Sequence, residues 1–144
     1  MARYRQIPMA DREELSAHVR GAEQPPLANR LVLRGGPDTL SLLRTHARRL
    51  NRLYVLRNEE VYGISVLAAL DDVGPMSYAE LLSNRLKGYP LVYAPTVAAL
   101  HRAGLQLLPT FRRPHYTVLL DSLDDCEHLY RTLGELLPNP YAVS

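Results

Sequence analysis

Hydrophobic and polar residues alternate most regularly late in the chain, over residues 115–120. Side chains at positions i and i+2 of a strand lie on the same face of a sheet. If Tyr116 and Val118 face the core, the residues that alternate with them share the opposite face. Those residues are His115 and Thr117. The alternation therefore predicts a strand that presents a histidine and a threonine side by side, away from the core.

A helical spacing of apolar residues predicts a helix over residues 39–52, with Asp38 as its N-cap. A second face of that helix carries Arg44, Arg48 and Arg52, which are spaced i, i+4 and i+8. This basic stripe has two interpretations. It is either a solvated helix face or a surface that binds nucleic acid by following the phosphate backbone.

Capping residues, turn residues and periodicity predict the other elements. Strands are expected over residues 30–34, 53–57, 61–69, 91–94 and 105–108, and the segment Gly35-Gly36-Pro37-Asp38 is expected to break the first of them. Helices are expected over 77–87, 96–103 and 122–133, with Ser77 and Thr96 as caps of the first two. Residues 1–30 are predicted to form an N-terminal arm with one surface helix, and residues 31–144 a single domain with an irregular tail from 136 onwards. Because helices alternate with hairpin-like pairs of strands, we expect an α+β fold, a mixed, mostly antiparallel sheet with helices packed on it.

Composition narrows the class of protein. The chain has 144 residues, of which 47% are hydrophobic and 22% charged, as in an ordinary globular domain. Its one cysteine, Cys126, excludes an intramolecular disulfide and a cysteine-based metal cluster. The helical histidines have no ligand partner one turn away, so we expect no metal site and no cofactor. No apolar run approaches the ~20 residues of a membrane span and no apolar signal segment opens the chain, so a cytoplasmic protein without a membrane partner is expected.

One set of residues suits phosphodiester transfer without a metal. A histidine can act as a general acid or base near neutral pH, and arginine stabilises charge that develops on a phosphate. Threonine and tyrosine hydroxyls can donate to phosphate oxygens. The simpler alternative is that the arginines are solvated loop charges and that the histidine is bonded to the backbone. The candidates are Arg34, Ser65, Arg112, Arg113, His115, Tyr116 and Thr117.

The late strand with its histidine and threonine, preceded by two arginines, resembles the small metal-independent ribonuclease toxins grouped with RelE and the colicin nucleases. The resemblance covers roughly residues 31–133. It implies that Arg112, Arg113, His115 and Thr117 cleave RNA through its 2′-hydroxyl, and that a protein partner neutralises the activity. The preferred prediction is therefore a small RNA-acting toxin or defence protein, with RNA bound by the basic stripe.

Two other segments resemble the ADP-ribosyltransferases. Leu33-Arg34-Gly35 is similar to the first strand of that family, whose arginine holds NAD, and Gly63-Ile64-Ser65-Val66 is similar to its serine-bearing strand. This resemblance implies an ADP-ribosyltransferase-like toxin that binds NAD through Arg34 and Ser65. The family's catalytic glutamate would fall on the strand over 115–120, where this chain has His115 and Thr117 instead.

A third alternative is a non-catalytic subunit. The β-α-β-β-α-β order predicted for residues 31–94 also suits a ferredoxin-like RNA-binding protein. Such a sheet binds RNA bases by stacking them on aromatic side chains. Tyr54, Tyr62 and Tyr93 are the candidates for this role.

Overall fold

The structure is a computed structural model that describes residues 26–53, 62–110 and 112–143. The arm and surface helix predicted over residues 1–30 lie almost entirely outside this part of the chain, as does Tyr54. The strand predicted over 53–57 also lies outside it, except for its first residue, which ends a helix instead.

Six strands and the helices between them make up the described part of the chain. The elements are β1 (Val32–Gly36), α1 (Leu40–Leu53), β2 (Tyr62–Ala68), α2 (Tyr78–Glu80) with a π-helical turn directly after it (Leu81–Arg85), β3 (Leu91–Tyr93), α3 (Val97–Arg102), β4 (Gln106–Pro109), β5 (His115–Leu120), α4 (Asp125–Leu133) and β6 (Leu136–Pro138). The strands form one sheet in the order β4-β5-β2-β1-β3-β6. Every neighbouring pair in it is antiparallel. The predicted α+β class is therefore confirmed.

Two hydrophobic clusters stabilise the fold. The larger joins β2 and β5 to α1, α3 and α4, and it includes Tyr116 and Val118, which are fully buried. The smaller lies beside α2 and its π-helical turn, and it includes Leu33 and Val92. Burying one large apolar side chain contributes about 1.5–3 kcal/mol. The side of β5 that was predicted to face the core does so.

β1 changes partner along its length, and this change splits the sheet. Its first two residues, Val32 and Leu33, pair with β2, whereas its last three, Arg34–Gly36, pair with β3. Beyond Leu33 the sheet therefore diverges into two halves. β2, β5 and β4 lie on one side of the gap, and β3 and β6 lie on the other.

Two helix N-caps lie where the sequence predicts them. Ser77 Oγ accepts a hydrogen bond from the backbone N–H of Glu80 at 3.3 Å, and Thr96 Oγ1 accepts one from Ala99 at 3.0 Å. The helix that Ser77 begins is shorter than expected, however. After Glu80 it widens into the π-helical turn instead of continuing as an α-helix to Lys87.

The break predicted after Arg34 and the predicted cap of α1 are both wrong. The two glycines after Arg34 continue β1, because they pair with β3. The hydroxyl of Thr39, not the carboxylate of Asp38, accepts from the backbone N–H of Leu42, at 3.1 Å. The Asp38 carboxylate binds Arg34 instead, since a charged donor makes the stronger hydrogen bond.

The described residues of the tail predicted from residue 136 onwards include ordered structure. Leu136–Pro138 form β6, which pairs with β3. The side-chain amide of Asn139 then donates to the carbonyls of Leu82, Leu86 and Tyr89 at 3.0–3.1 Å. These hydrogen bonds therefore link the segment after β6 to the π-helical turn and to the loop that leads to β3.

Candidate functional site

A cleft of about 630 Å³ opens between β1 and β2, where the sheet splits. Its volume falls within the range of small-molecule sites, about 300–1,000 Å³. β1, β2, β5, α1 and the loop before β3 contribute its walls. The lining side chains that carry polar groups are Arg34, Asp38, His46, Arg49, Ser65, Tyr89, His115 and Thr117.

Arg34 bridges the gap between the two strands. If β1 kept the register in which it first pairs with β2, Gly35 would lie opposite Ser65. The backbone N–H of Ala69 donates to Leu31. Because hydrogen-bonding direction alternates along a strand, the backbone groups of Gly35 and Ser65 face each other across the gap. The Nη1 group of Arg34 donates to the Ser65 carbonyl at 2.9 Å, which replaces the ladder bond that the split removes.

Three partners hold the Arg34 guanidinium. Its Nε donates to Asp38 Oδ2 at 2.7 Å, and its Nη2 approaches Asp38 Oδ1 at 3.4 Å and His46 Nδ1 at 2.8 Å. The side chains of Arg34 and Asp38 are only 12% and 5% exposed, so this ion pair is shielded from water. Together with the Ser65 carbonyl, these contacts use four of the five N–H groups of an arginine. Arg34 is thus a fixed charge that shapes the cleft.

The tautomer of His46 follows from its contact with Arg34. An arginine N–H can only donate, so His46 Nδ1 accepts the hydrogen bond and the ring proton lies on Nε2. Burial lowers the pKa of His46 below its usual 6.5, and the charges of Arg34 and Arg49 lower it further, while Asp38 acts in the opposite direction. His46 is therefore a neutral imidazole at pH 7.

Two buried threonines orient His115. Its Nδ1 lies 2.8 Å from Thr110 Oγ1, and that oxygen lies 2.9 Å from Thr117 Oγ1. The backbone N–H of His115 also donates to the carbonyl of Arg112 at 2.9 Å. A hydrogen-bonded network of this kind, shielded from water, restricts rotation of the ring. His115 is therefore hydrogen-bonded to the backbone, as the structural alternative in the sequence analysis predicts, and it also lines the cleft.

Tyr89 gives the cleft an aromatic wall. Its ring lies against the backbone of Gly35 so closely that a Cβ atom at residue 35 would overlap it. Leu42, Leu67 and Leu86 add apolar surface to the lining. One part of the cleft therefore suits a flat, uncharged ring.

The charged part of the lining favours an anion. Arg34 and Arg49 are its cations, and Asp38 is its one acid. Because Asp38 is already paired with Arg34, the charge of Arg49 is the one left to attract a ligand.

The structure brings some of the predicted site residues together and separates others. Arg34, Ser65, His115 and Thr117 line the cleft from three strands. Arg112 and Arg113 are exposed in the turn between β4 and β5 and do not line it. Tyr116 is fully buried on the opposite face of β5.

Two members of the basic stripe, Arg44 and Arg48, do not line the cleft. Burial raises the pKa of the Cys126 thiol on α4, and Arg44 and Arg48 oppose that rise. These two arginines therefore lie beside α4, whose first turn carries Asp125 and Glu127. The side chain of Arg52 lies outside the described part of the chain. Arg48 is exposed and Arg44 is half-buried, and RNA binding by the stripe stays a prediction.

Two of the aromatic residues proposed to stack RNA bases, Tyr62 and Tyr93, are not displayed on a sheet surface. Tyr62 and Tyr93 are only 7% and 3% exposed. The hydroxyl of Tyr93 instead accepts from the backbone N–H of Asp38 at 3.0 Å. Two of the three proposed stacking residues are thus core residues.

Sequence reasoning missed four residues at or beside the cleft. These are His46, Arg49, Tyr89 and Thr110. The first two share with Leu42 the spacing i, i+4 and i+7, so the periodicity of α1 contains a signal for a third face. Tyr89 lies in a loop and Thr110 acts through a contact five residues along the chain, and neither has a signal in the sequence pattern.

No family model, curated protein or solved structure matches this chain. Within the described ranges, no three histidine, cysteine or acidic residues are grouped so that they could hold a metal ion. The same residues include no helix that is long and apolar enough to cross a bilayer.

Proposed function

We propose that this protein is ADP-ribosyltransferase-like and binds NAD in the cleft between β1 and β2. The observation that carries the proposal is the convergence of Arg34, Ser65 and His115, from three different strands, on one cleft. The resemblance assigns NAD to the first two of these residues. His115 lies on the strand where that family has its catalytic glutamate.

The chemistry of the walls supports a ligand of this class. A nicotinamide ring is flat and suits the surface formed by Tyr89 and its leucine neighbours. Its carboxamide needs one donor and one acceptor, which the backbone of Gly35 supplies where it faces the gap. A phosphate would approach Arg49, whose charge is not compensated by the Arg34–Asp38 pair.

The transfer step would use His115 as the proton acceptor. The bond between the ribose and nicotinamide breaks, the acceptor's nucleophilic atom bonds to the ribose, and the acceptor's proton passes to the imidazole. Thr110 holds that imidazole at 2.8 Å through Nδ1. General-base catalysis by a positioned histidine contributes about 10²–10⁴ in rate.

Isothermal titration calorimetry with NAD tests the proposal. The parent should bind NAD, and Arg49→Gln should weaken binding about ten- to a hundredfold, because a hydrogen bond to a charged group contributes about 1.5–3 kcal/mol. The matched control is Arg48→Gln, which removes an exposed arginine one position away that does not line the cleft. No binding of millimolar NAD to the folded parent would remove the proposal.

A metal-independent ribonuclease is the second candidate, and the position of His115 beside Thr117 in the cleft favours it. His46 and His115 both line the cleft, together with Arg34. Cleavage through the 2′-hydroxyl needs a general base, and the imidazole of His115 would fill that role. RNA would be the substrate, and a neutralising protein partner belongs to this candidate.

An RNA cleavage assay in EDTA tests this second candidate. The parent should cleave RNA without a divalent metal, and His115→Ala should lose about 10²–10⁴ in rate. The double variant Arg112→Gln/Arg113→Gln should cleave like the parent, since those arginines lie outside the cleft. Strict dependence on Mg²⁺, or full activity without the imidazole, would reject a nuclease at this site.

A further inference from the structure

We propose that His46 and Arg49 form the phosphate subsite of the cleft, in which His46 acts as a neutral donor through Nε2–H. This inference rests on the proposed function, because it assigns part of the same cleft to the diphosphate of a nucleotide. His46 would be an additional binding residue, and Arg34 rather than the ligand would determine that its imidazole is neutral.

The positions of the two residues on α1 place them together. They are three residues apart on one helix, so their Cβ atoms are neighbours about 5–6 Å apart. Both line the cleft. A phosphate between them would accept a hydrogen bond from an imidazole N–H and from a guanidinium, both of which are donors that phosphate oxygens accept.

Arg34 is what makes His46 a donor toward the cleft. Its Nη2 donates to His46 Nδ1 at 2.8 Å, which requires a lone pair on that nitrogen. The only ring proton of the neutral imidazole is therefore on Nε2. Among the residues that the structure describes, none accepts a hydrogen bond from Nε2. A second proton, on Nδ1, would face an arginine N–H, so binding of a phosphate should not convert His46 to an imidazolium.

The charged and titratable groups around His46 are known from each wall. Arg34 and Asp38 come from β1 and the loop after it, Arg49 from α1, His115 from β5, and Tyr89 from the loop before β3. Only Asp38 is acidic, and it is paired with Arg34. Asp38 is the one group in this lining that favours a positively charged His46, and burial together with the charges of Arg34 and Arg49 outweighs it.

The ratio of the affinities for ADP and adenosine measures how much the diphosphate contributes to binding. ADP should bind the parent at least tenfold more tightly than adenosine does. His46→Leu should reduce the ratio of ADP affinity to adenosine affinity about tenfold without changing the affinity for adenosine. His46→Gln should retain most of this ratio, because a glutamine amide can both accept a hydrogen bond from Arg34 and donate one to a phosphate. His101→Leu is the matched control, because His101 is exposed on α3 and does not line the cleft.

Long-range ¹H–¹⁵N correlation spectra read the state of His46 directly. The free parent at pH 7 should show the Nε2–H tautomer, and that tautomer should persist when ADP is bound. An imidazolium or an Nδ1–H tautomer in either state, or an unchanged ADP ratio in His46→Leu, would overturn the subsite.

The two proposals fail in different ways. The ratio of ADP affinity to adenosine affinity could fall in Arg49→Gln and stay unchanged in His46→Leu. That result would reject His46 as a hydrogen-bond donor to the phosphate but would leave the proposed NAD binding intact. Failure of the folded parent to bind both NAD and ADP would reject the proposed function and, with it, this subsite. A folded His46→Leu with the parent's melting temperature shows that the effect on affinity is local.

Discussion

At the scale of single residues, the cleft depends on a glycine as much as on its charged groups. Gly35 has no Cβ, so the ring of Tyr89 can rest on the strand backbone and form a wall. The glycine that precedes Tyr89 in the chain, Gly88, has open space where a Cβ would be. Replacing Gly35 therefore perturbs the aromatic wall, and replacing Gly88, next to Tyr89 in the chain, provides the control.

Gly35→Ala should displace the Tyr89 ring and weaken binding of NAD about tenfold or more, while Gly88→Ala should bind like the parent. The parent's Gly35 α-protons should show a ring-current shift from Tyr89, which Gly88→Ala retains. The displacement of the ring opposes the roughly 0.5–1 kcal/mol by which alanine is favoured over glycine within a strand. Equal affinities in the two variants would mean that Tyr89 does not contact the ligand.

At the scale of elements, Asn139 joins segments that are far apart in the chain. Its side-chain amide donates to the carbonyls of Leu82, Leu86 and Tyr89, and its backbone N–H donates to Pro90 at 2.8 Å. The carbonyls at the end of a helical turn have no partner within it, and a buried one needs a donor from elsewhere. The segment after β6 thus supplies the cap of the π-helical turn and holds the loop that carries the cleft's aromatic wall.

Asn139→Ala should lower the free energy of unfolding by about 1–3 kcal/mol, because it removes the side-chain hydrogen bonds to buried carbonyls of Leu82 and Leu86. Asn84→Ala is the matched control. Asn84 is exposed and bonds only to the side chain of Glu80, so its loss should change stability by about 0.5 kcal/mol or less. Urea denaturation of both variants measures the difference, and similar midpoints would contradict the role of Asn139 as a cap.

At the scale of the whole molecule, one change of partner along β1 creates the site. A continuous β1–β2 ladder would close the gap with backbone hydrogen bonds and leave no cleft. The split costs ladder bonds, and the Arg34–Ser65 contact replaces one of them at 2.9 Å. The Arg34–Asp38 pair is then needed because an arginine that is mostly buried requires a counter-charge.

The sequence alone predicted the features that arise from local periodicity and capping. The faces of β5, the caps of Ser77 and Thr96 and the α+β class follow from the spacing of apolar residues and from the chemistry of short polar side chains. Single residues, Arg34, Ser65 and His115, could also be chosen by type and by resemblance. The sequence could not predict that these three residues line the same cleft.

Only the tertiary structure decided which residues meet across the gap. The change of partner within β1, the Asp38 carboxylate turning to Arg34 instead of the helix, and the ordering of Asn139 all depend on contacts between distant segments. The sequence distances are 31 residues for Arg34 and Ser65 and 57 for Asn139 and Leu82. Periodicity reports which face of an element is apolar, but it holds no information on which partner that face will meet. For this reason His46, which the sequence marks only as a helical histidine, became a candidate ligand-binding residue once Arg34 was seen to donate to it.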